Sequence, residues 1–421
     1  MERLPGFRDF YPEPLPAKDA ASFDLRNYIF SKWRETARNY GFREYDGPPL
    51  EALELYTTKS GAEILGQLYN FVDKGERAVA IRPEMTPTLA RMMAAAERSY
   101  KKPIKWFALP QLFRYERQQK GRLREHFQLN ADILGESDPA ADAELIALLI
   151  DTLRSFGLTE NDFVIRLSSR NAWQDFFAER NSDPGKAYEF FQVIDKMERE
   201  KPEVTGEKLR TLGINSEEVK TFVAGGAPTP ELQTVLRHLA SRKLDSFVRV
   251  DYNIIRGLAY YTGIVFEAFA KGSSMRAIAG GGRYNNLVKL ISANKVDLPA
   301  LGFGMGDVVL ADLLLEKKLI PKLSAAIDAF VIIEDEALRD DSLALVQRLR
   351  EANFSTEYAL TPSKSDKQFK RASEMNASVL LRCTRAEGRL ACALRDLRGG
   401  SQQEVTPEAV VDTVKSLLRN R

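Results

Sequence analysis

From residue 326 to residue 421 the strand patterns AFVIIED, STEYAL, SVLLRC and RLACALRD alternate with the helical patterns ALRDDSLALVQRLREANF, SDKQFKRASEMNA and TPEAVVDTVKSLLRN. Alternation of this kind builds an α/β layer with its own core. The stretch EKKLIPKLSAAID, residues 316–328, precedes it as a polar, proline-bearing boundary. A chain of 421 residues exceeds the ~250–300 residues over which one core keeps growing. The remainder must therefore fold separately, and a small α/β domain is expected over 326–421.

Upstream, Leu25, Ile29, Trp33 and Ala37 repeat at four-residue spacing within a helix expected from Ala17 to Tyr40, which Gly41 ends. Pro48 and Pro49 keep the following FREYDGPPLE extended. IKWFALPQLFRYE and REHFQLNADILG read as strands of an antiparallel hairpin with the charged tip RQQKGRLR. Asp138 starts a helix through Leu153. Short helical stretches follow at Asp183–Glu198, Glu207–Leu212, Ser216–Phe222 and Glu231–Ser241, the first with Asp183 as cap and Pro184 in the first turn. Residues 171–245 therefore read as a helical insertion between two parts of one domain, 1–170 and 246–320. Strand patterns resume in FVRVDYNIIRGLAYYTGIVFEAFA and run to AIAGGGRYNNLVKL.

Hydrophobic residues at 44% and charged residues at 29% fit a soluble globular protein. The start, MERLPGFRDFYPEP, has no apolar run suited to a secretory signal, and no membrane span is expected, so the expected location is cytoplasmic. Cys383 and Cys392 are expected to be buried thiols. With no CxxC pair and two histidines, His126 and His238, a protein-held metal site is not expected. The net charge of +2 means that any RNA contact must come from local clustering. Residues 326–421 hold 15 basic and 15 acidic side chains, so recognition by that domain would rest on shape, stacking and a few placed groups such as Lys370, Arg371 and Arg382.

The stretch Phe113 to Gln128, FRYERQQKGRLREHFQ, carries Arg114, Arg117, Lys120, Arg122 and Arg124 against Glu116 and Glu125. A hairpin with a cationic tip can hold a polyphosphate and the end of an RNA strand, and the planar arginine fork binds phosphate oxygens in pairs. Arg114 belongs to the strand, so its head is fixed, as stabilising charge at phosphorus requires. Taken alone, the same pattern also describes a solvated charged hairpin.

Four further motifs accompany it: GFRDFYP, RPEMTPTLAR from Arg82 to Arg91, RGLAYYTGIVFE from Arg256 to Glu267, and AGGGRY. Together the five resemble the histidyl-tRNA synthetase family, with FRYER…GRLREHFQ as class II motif 2 and RGLAYYTG as the histidine-specific signature. The resemblance implies an α+β catalytic domain with a mixed, mainly antiparallel class II sheet, the helical insertion, and an anticodon-binding domain at 326–421. It implies histidine, ATP with Mg2+ and tRNA(His) as substrates and partners, and a homodimer. Arg114 and Arg256 would stabilise the transition state at the α-phosphorus. Glu84, Met85, Thr86 and Gln128 would hold the amino acid, with Glu84 and Thr86 on its ammonium group. Asp132 and Tyr261 would take the two imidazole nitrogens. Tyr260 neighbours them, and if both tyrosines lay in a strand only one would face the ring. Glu116 would receive the adenine amino group, His126 would stack on adenine, and Arg122 and Gly304 would complete the ATP site.

One motif departs from the family. Motif 3 usually ends Gly-x-Gly-x-Glu-Arg, whereas here it reads GFGMGDVVL, with Val309 at the arginine position. That ending is similar to a plastid-like branch, and some other cation is expected to cover the missing charge. Two rival readings are a histidine-binding regulatory subunit of ATP phosphoribosyltransferase and an RNA-binding accessory protein on an inactive synthetase. The histidine signature and the small domain weigh against both.

Overall fold

A nine-stranded mixed sheet organises the larger of two units. Its order is Val248–Val250, Phe163–Ser169, Thr262–Ala270, Ala279–Arg283, Ala300–Gly306, Glu125–Leu134, Ile104–Ala108 and Arg43–Glu44, with Gln111–Phe113 paired to Glu125–Leu134 off that path. The two outermost pairings are parallel and the others antiparallel, as expected for the fold class. The computed structural model describes residues 2–17, 20–60, 62–115, 121–198, 200–255, 260–273, 275–323, 326–386 and 389–419. The units are Met1–Asp9 with Leu25–Pro321, and Phe10–Asp24 with Lys322–Arg421.

Side chains alternate across a strand with period two, and this gives the sheet two unlike faces. Leu129, Ala131 and Ile133 of one central strand, and Leu301, Phe303 and Met305 of its neighbour, are at most 2% exposed. They share a core with Ile29, Trp33 and Ala37 of the Phe23–Asn39 helix and with the Ala140–Arg154 helix. The latter is buried on nearly every side, which is why AADAELIALLIDTLR is apolar almost throughout. The intervening positions, Gln128, Asn130 and Asp132 against Gly306, Gly304 and Gly302, turn to the opposite face.

The helix expected from Ala17 begins at Phe23, because Ala21–Ser22 pairs with Phe10–Tyr11. The strand expected over 104–116 breaks at residues 109–110, where Pro110 has no N–H to give the ladder, and resumes at Gln111–Phe113. Around the insertion, a helix missed in the sequence spans Arg170–Ala178. Ser169 caps it by accepting from Ala172 N, and Trp173, Phe176 and Phe177 are its buried face. Helices Ala187–Lys196, Pro202–Thr211, Ser216–Gly225 and Pro230–Ser241 follow.

The smaller unit holds a five-stranded sheet in the order Thr356–Tyr358, Ala329–Ile332, Val379–Ala386, Arg389–Asp396 and Gln402–Val405. Helices Arg339–Glu351 and Val410–Arg419 supply Leu345, Val346, Leu349, Val410 and Val414 to the core on one face. The Ser365–Glu374 helix supplies Ala372 to the core on the other, with Phe330, Ile332 and Leu380. The Gln402–Val405 strand was not foreseen, because QQEV has no apolar run. Cys383 and Cys392 lie opposite each other on adjacent strands, free and buried. Arg382 pairs with Glu334 at 2.6 Å, Arg371 with Glu357 at 3.6 Å and Lys370 with Glu374 at 3.9 Å.

Candidate active site

The polar face of the large sheet opens into a cavity of about 1210 Å³. Its floor follows from the alternation described above. His126, Gln128 and Asn130 project from one strand, and Gly302, Gly304 and Gly306 of the next leave room for those side chains to lie across it. A methyl group on Gly304 would stand 2.6 Å from Gln128 Nε2, closer than van der Waals contact permits. Asn130 lines the cavity, and its Oδ1 is buried without a partner among the described residues. Asn130 was missed in the sequence; the signal for it was the period-two spacing of His126, Gln128, Asn130 and Asp132 opposite L-G-F-G-M-G.

Asp132 continues the row, but it lies beyond the cavity wall at 2% exposure. Tyr284 donates to its Oδ1 at 2.6 Å, and Oδ2 has no partner among the described residues. Burial pushes the Asp132 carboxyl up to about 7, against the pull of the Tyr284 hydrogen bond. Direct contact with a ligand in the cavity as it stands falls to Tyr284, which lines it.

One wall is the start of the Thr86–Ala96 helix. Pro87 lies in its first turn, where a missing N–H costs nothing. Glu84 and Thr86 line the cavity, and Tyr260 donates to Glu84 Oε2 at 3.2 Å. Arg114 Nε donates to the Pro83 carbonyl at 3.0 Å, so the hairpin and the helix start are tied together. Arg82 holds this corner from behind: it is 5% exposed and donates to Asp46, the Gly47 carbonyl and the Gln111 carbonyl. Met85 is a correction. It is fully buried with its sulfur 3.8 Å from Arg82 Nη1 and does not line the cavity, so its side chain packs rather than binds. Tyr260 and Tyr261 both line the cavity, with ring centroids 4.8 Å apart. They precede the strand that starts at Thr262, so strand alternation does not separate them. Arg256 and Glu116 lie outside the described residues.

At the other end stand Arg122, Leu123, Arg276, Val308 and Val309. The His126 imidazole there is driven down to about 3, first by burial and then by the charges of Arg114, Arg8 and Arg122. It is neutral at physiological pH, within a positive field. A buried network supports this end. Arg8 donates to Glu125 at 2.7 Å and pairs with Asp307 at 2.9 Å, Gln111 donates to Glu125 at 2.9 Å, and Phe127 N donates to Asp307 at 2.9 Å. Asp307 thus serves the amino-terminal segment and the helix start together, a role not visible in GFGMGDVVL. Of the glycine run, Gly280 lines the cavity. Gly281 instead meets the Gly302 carbonyl, and a methyl group on Gly282 would stand 2.7 Å from the Ile264 carbonyl, so these two serve close strand packing.

Residues 15–306 match the family model described as histidyl-tRNA synthetase, and residues 328–417 match an anticodon binding domain. The histidine–tRNA ligase of Opitutus terrae is 42% identical, covering 99% of this chain and 99% of that protein. The chloroplastic/mitochondrial histidine–tRNA ligase of Arabidopsis thaliana is 35% identical over 89% of this chain and 79% of its own length. Among solved structures, histidyl-tRNA synthetase from Nostoc sp. superposes with a TM-score of 0.75 at 23% identity, covering 97% of this chain and 98% of that one. An ATP phosphoribosyltransferase regulatory subunit/histidyl-tRNA synthetase from Bacillus halodurans shares the fold with a TM-score of 0.66 at 20% identity, covering 88% of this chain and 96% of that one. The family match over most of the chain, and the near full-length likeness to the Opitutus terrae enzyme, establish that this chain belongs to the histidyl-tRNA synthetase family.

Proposed function

We propose that the chain is a histidine–tRNA ligase, which activates histidine with ATP to histidyl-adenylate and transfers it to the 3′ end of tRNA(His), releasing AMP and pyrophosphate. The observation that carries this reading is the convergence of Glu84, Thr86, Arg114, Gln128, Tyr260 and Tyr261 on one cavity. An ammonium group has only donors, and Glu84, Thr86 and Gln128 offer acceptors. An imidazole offers one donor and one acceptor, which Tyr261 and, through Tyr284 at the wall, Asp132 can match. Arg114, held at the Pro83 carbonyl, points a fixed cation at the α-phosphorus while the substrate carboxylate attacks it. Arg122, neutral His126 and Gly304 form the ATP side, with Arg256 and Glu116 assigned the roles that their motifs imply. Magnesium would arrive bound to the ATP phosphates and shield their charge.

The assignment extends to a catalytic domain over 1–170 and 246–320, an insertion over 171–245 and an anticodon reader over 326–421. It includes a homodimer, a cytoplasmic location and a place on the plastid-like branch. Among the described residues no helix is long and apolar enough to cross a membrane. The ending GFGMGD, with Val309 at the arginine position, supports the branch. The match to an anticodon binding domain at 328–417 favours the ligase over a regulatory subunit, which has no anticodon to read. Histidine-dependent exchange of pyrophosphate into ATP, followed by charging of tRNA(His), tests the activity. A chain that binds histidine yet exchanges no pyrophosphate would overturn it.

A further inference from the structure

The cationic end of the cavity has an apolar gap. Val308 and Val309 line it at the start of the Asp307–Glu316 helix, and a methyl group on Gly121 of the hairpin would stand 3.4 Å from Val309 Cγ2. Neither valine side chain can bind a phosphate oxygen. If a nucleoside triphosphate occupies this end, its outer phosphates need a cation from another element.

The sheet register supplies one. Ala279 pairs with Met305 and Gly280 with Gly304. Ala279–Met305 is the last pair of that ladder; Arg276 precedes Ala279 by three residues and Val308 follows Met305 by three, so both chains leave the sheet at the same edge. Arg276 and the two valines line the same cavity. The turn stays close to the sheet, because Ile278 N donates to the Ala268 carbonyl at 2.8 Å. Arg276 is exposed, lines the cavity, and makes no hydrogen bond or ion pair among the described residues. Among the described residues the other lining arginines are Arg114, whose Nε is engaged by Pro83, and Arg122 of the hairpin. Among the described residues the acidic side chains on the wall are those of Glu84, Glu198 and Glu267. Glu198 is held by both terminal nitrogens of Arg166, at 2.9 and 2.6 Å, and Glu84 accepts from Tyr260.

We propose that Arg276 binds the β- and γ-phosphates of ATP, supplying from the turn before the neighbouring strand the cation that position 309 lacks. The proposal rests on the ligase reading for the identity of the nucleotide. An arginine suits the task because its fork can grip two phosphate oxygens at once, whereas a lysine offers a single point charge.

Direct titration of Mg·ATP and of AMP into the full chain, by calorimetry, tests this without requiring turnover. Arg276→Ala is expected to weaken Mg·ATP binding roughly 10–100-fold, the range for a lost charge-assisted contact. AMP, which has no outer phosphates, should bind as before, which also certifies the fold. Arg276→Lys should recover part of the loss. Mg·ATP affinity within twofold of the unchanged chain, or equal losses for AMP and Mg·ATP, would overturn the assignment. Pyrophosphate exchange by the unchanged chain separates the two readings: its absence removes the ligase, while the titrations still decide Arg276.

Discussion

Replacing Arg8 with alanine should destabilise the larger unit in a way that acid relieves. In the native network the Glu125 side chain is 1% exposed and that of Asp307 is 5% exposed, and Arg8 is bonded to both. Without Arg8 two buried carboxylates remain as near neighbours, Glu125 keeping only Gln111 and Asp307 keeping only Phe127 N among these bonds. Removing one partner from a buried ion pair costs about 3–5 kcal/mol. The Arg8 side chain is itself 18% exposed, so water can enter the gap, and the expected loss lies near the lower end, about 3 kcal/mol. That is a large share of the ~5–15 kcal/mol that holds a typical domain.

The pH dependence has a definite sign. Burial already raises the Asp307 carboxyl while Arg8 pulls it down. Removing Arg8 raises it further, so the folded variant takes up protons before the unfolded chain does. Its deficit is therefore full at neutral pH and shrinks as pH falls through the raised folded value. Urea unfolding followed by tryptophan fluorescence reads this directly, because Trp33, Trp106 and Trp173 all belong to the larger unit. Adding Asp307→Asn should recover at least about 1 kcal/mol, since the amide oxygen can still accept from Phe127 N. A deficit under about 1 kcal/mol at pH 7.5, or one unchanged at pH 5, would refute the reasoning.

Gly304→Ala should displace Gln128 and raise the KM for histidine about tenfold with little change in stability, because the group it meets is a flexible side chain. Gly281→Ala meets the Gly302 backbone and should instead cost about 3 kcal/mol or prevent folding; unfolding midpoints of the two variants check the contrast. Tyr284→Phe removes the hydrogen bond that holds the Asp132 carboxyl down, so that carboxyl rises above about 7 and is mostly neutral at pH 7. The ratio of variant to unchanged KM for histidine should then be larger at pH 7 than at pH 8.5, where the increase due to the lost Tyr284 hydroxyl alone remains; a pH-independent ratio would remove Asp132 from recognition. His126 resists protonation down to about 3 when folded, while the unfolded chain takes its proton below 6.5. Stability should therefore fall as pH drops through that window, and His126→Phe should lose about 1 kcal/mol less than the unchanged chain between pH 7 and 5.5, measured by urea midpoints.

The residues themselves determined much of this. Period-two and four-residue spacing, with proline and glycine as punctuation, are local properties, and they located most helices and strands within a few residues. The helix at 170–178 and the strand at 402–405 escaped because RNAWQDFFA adjoins polar turns and QQEV pairs through its backbone without an apolar face. The motifs that carry the family resemblance grouped Glu84, Thr86, Arg114, Gln128 and Tyr261 as one set, and these line one cavity. Tertiary structure alone decided the rest. Packing against Arg82 put Met85 inside, and Tyr284 came to cover Asp132. Asp307 became a buried partner for a residue at the chain's start. Strand pairing, which the sequence does not encode locally, brought Arg276 and the valines to one cavity. Such placements depend on which distant segments share a sheet edge or a core, and long-range pairing becomes defined only when the whole unit packs.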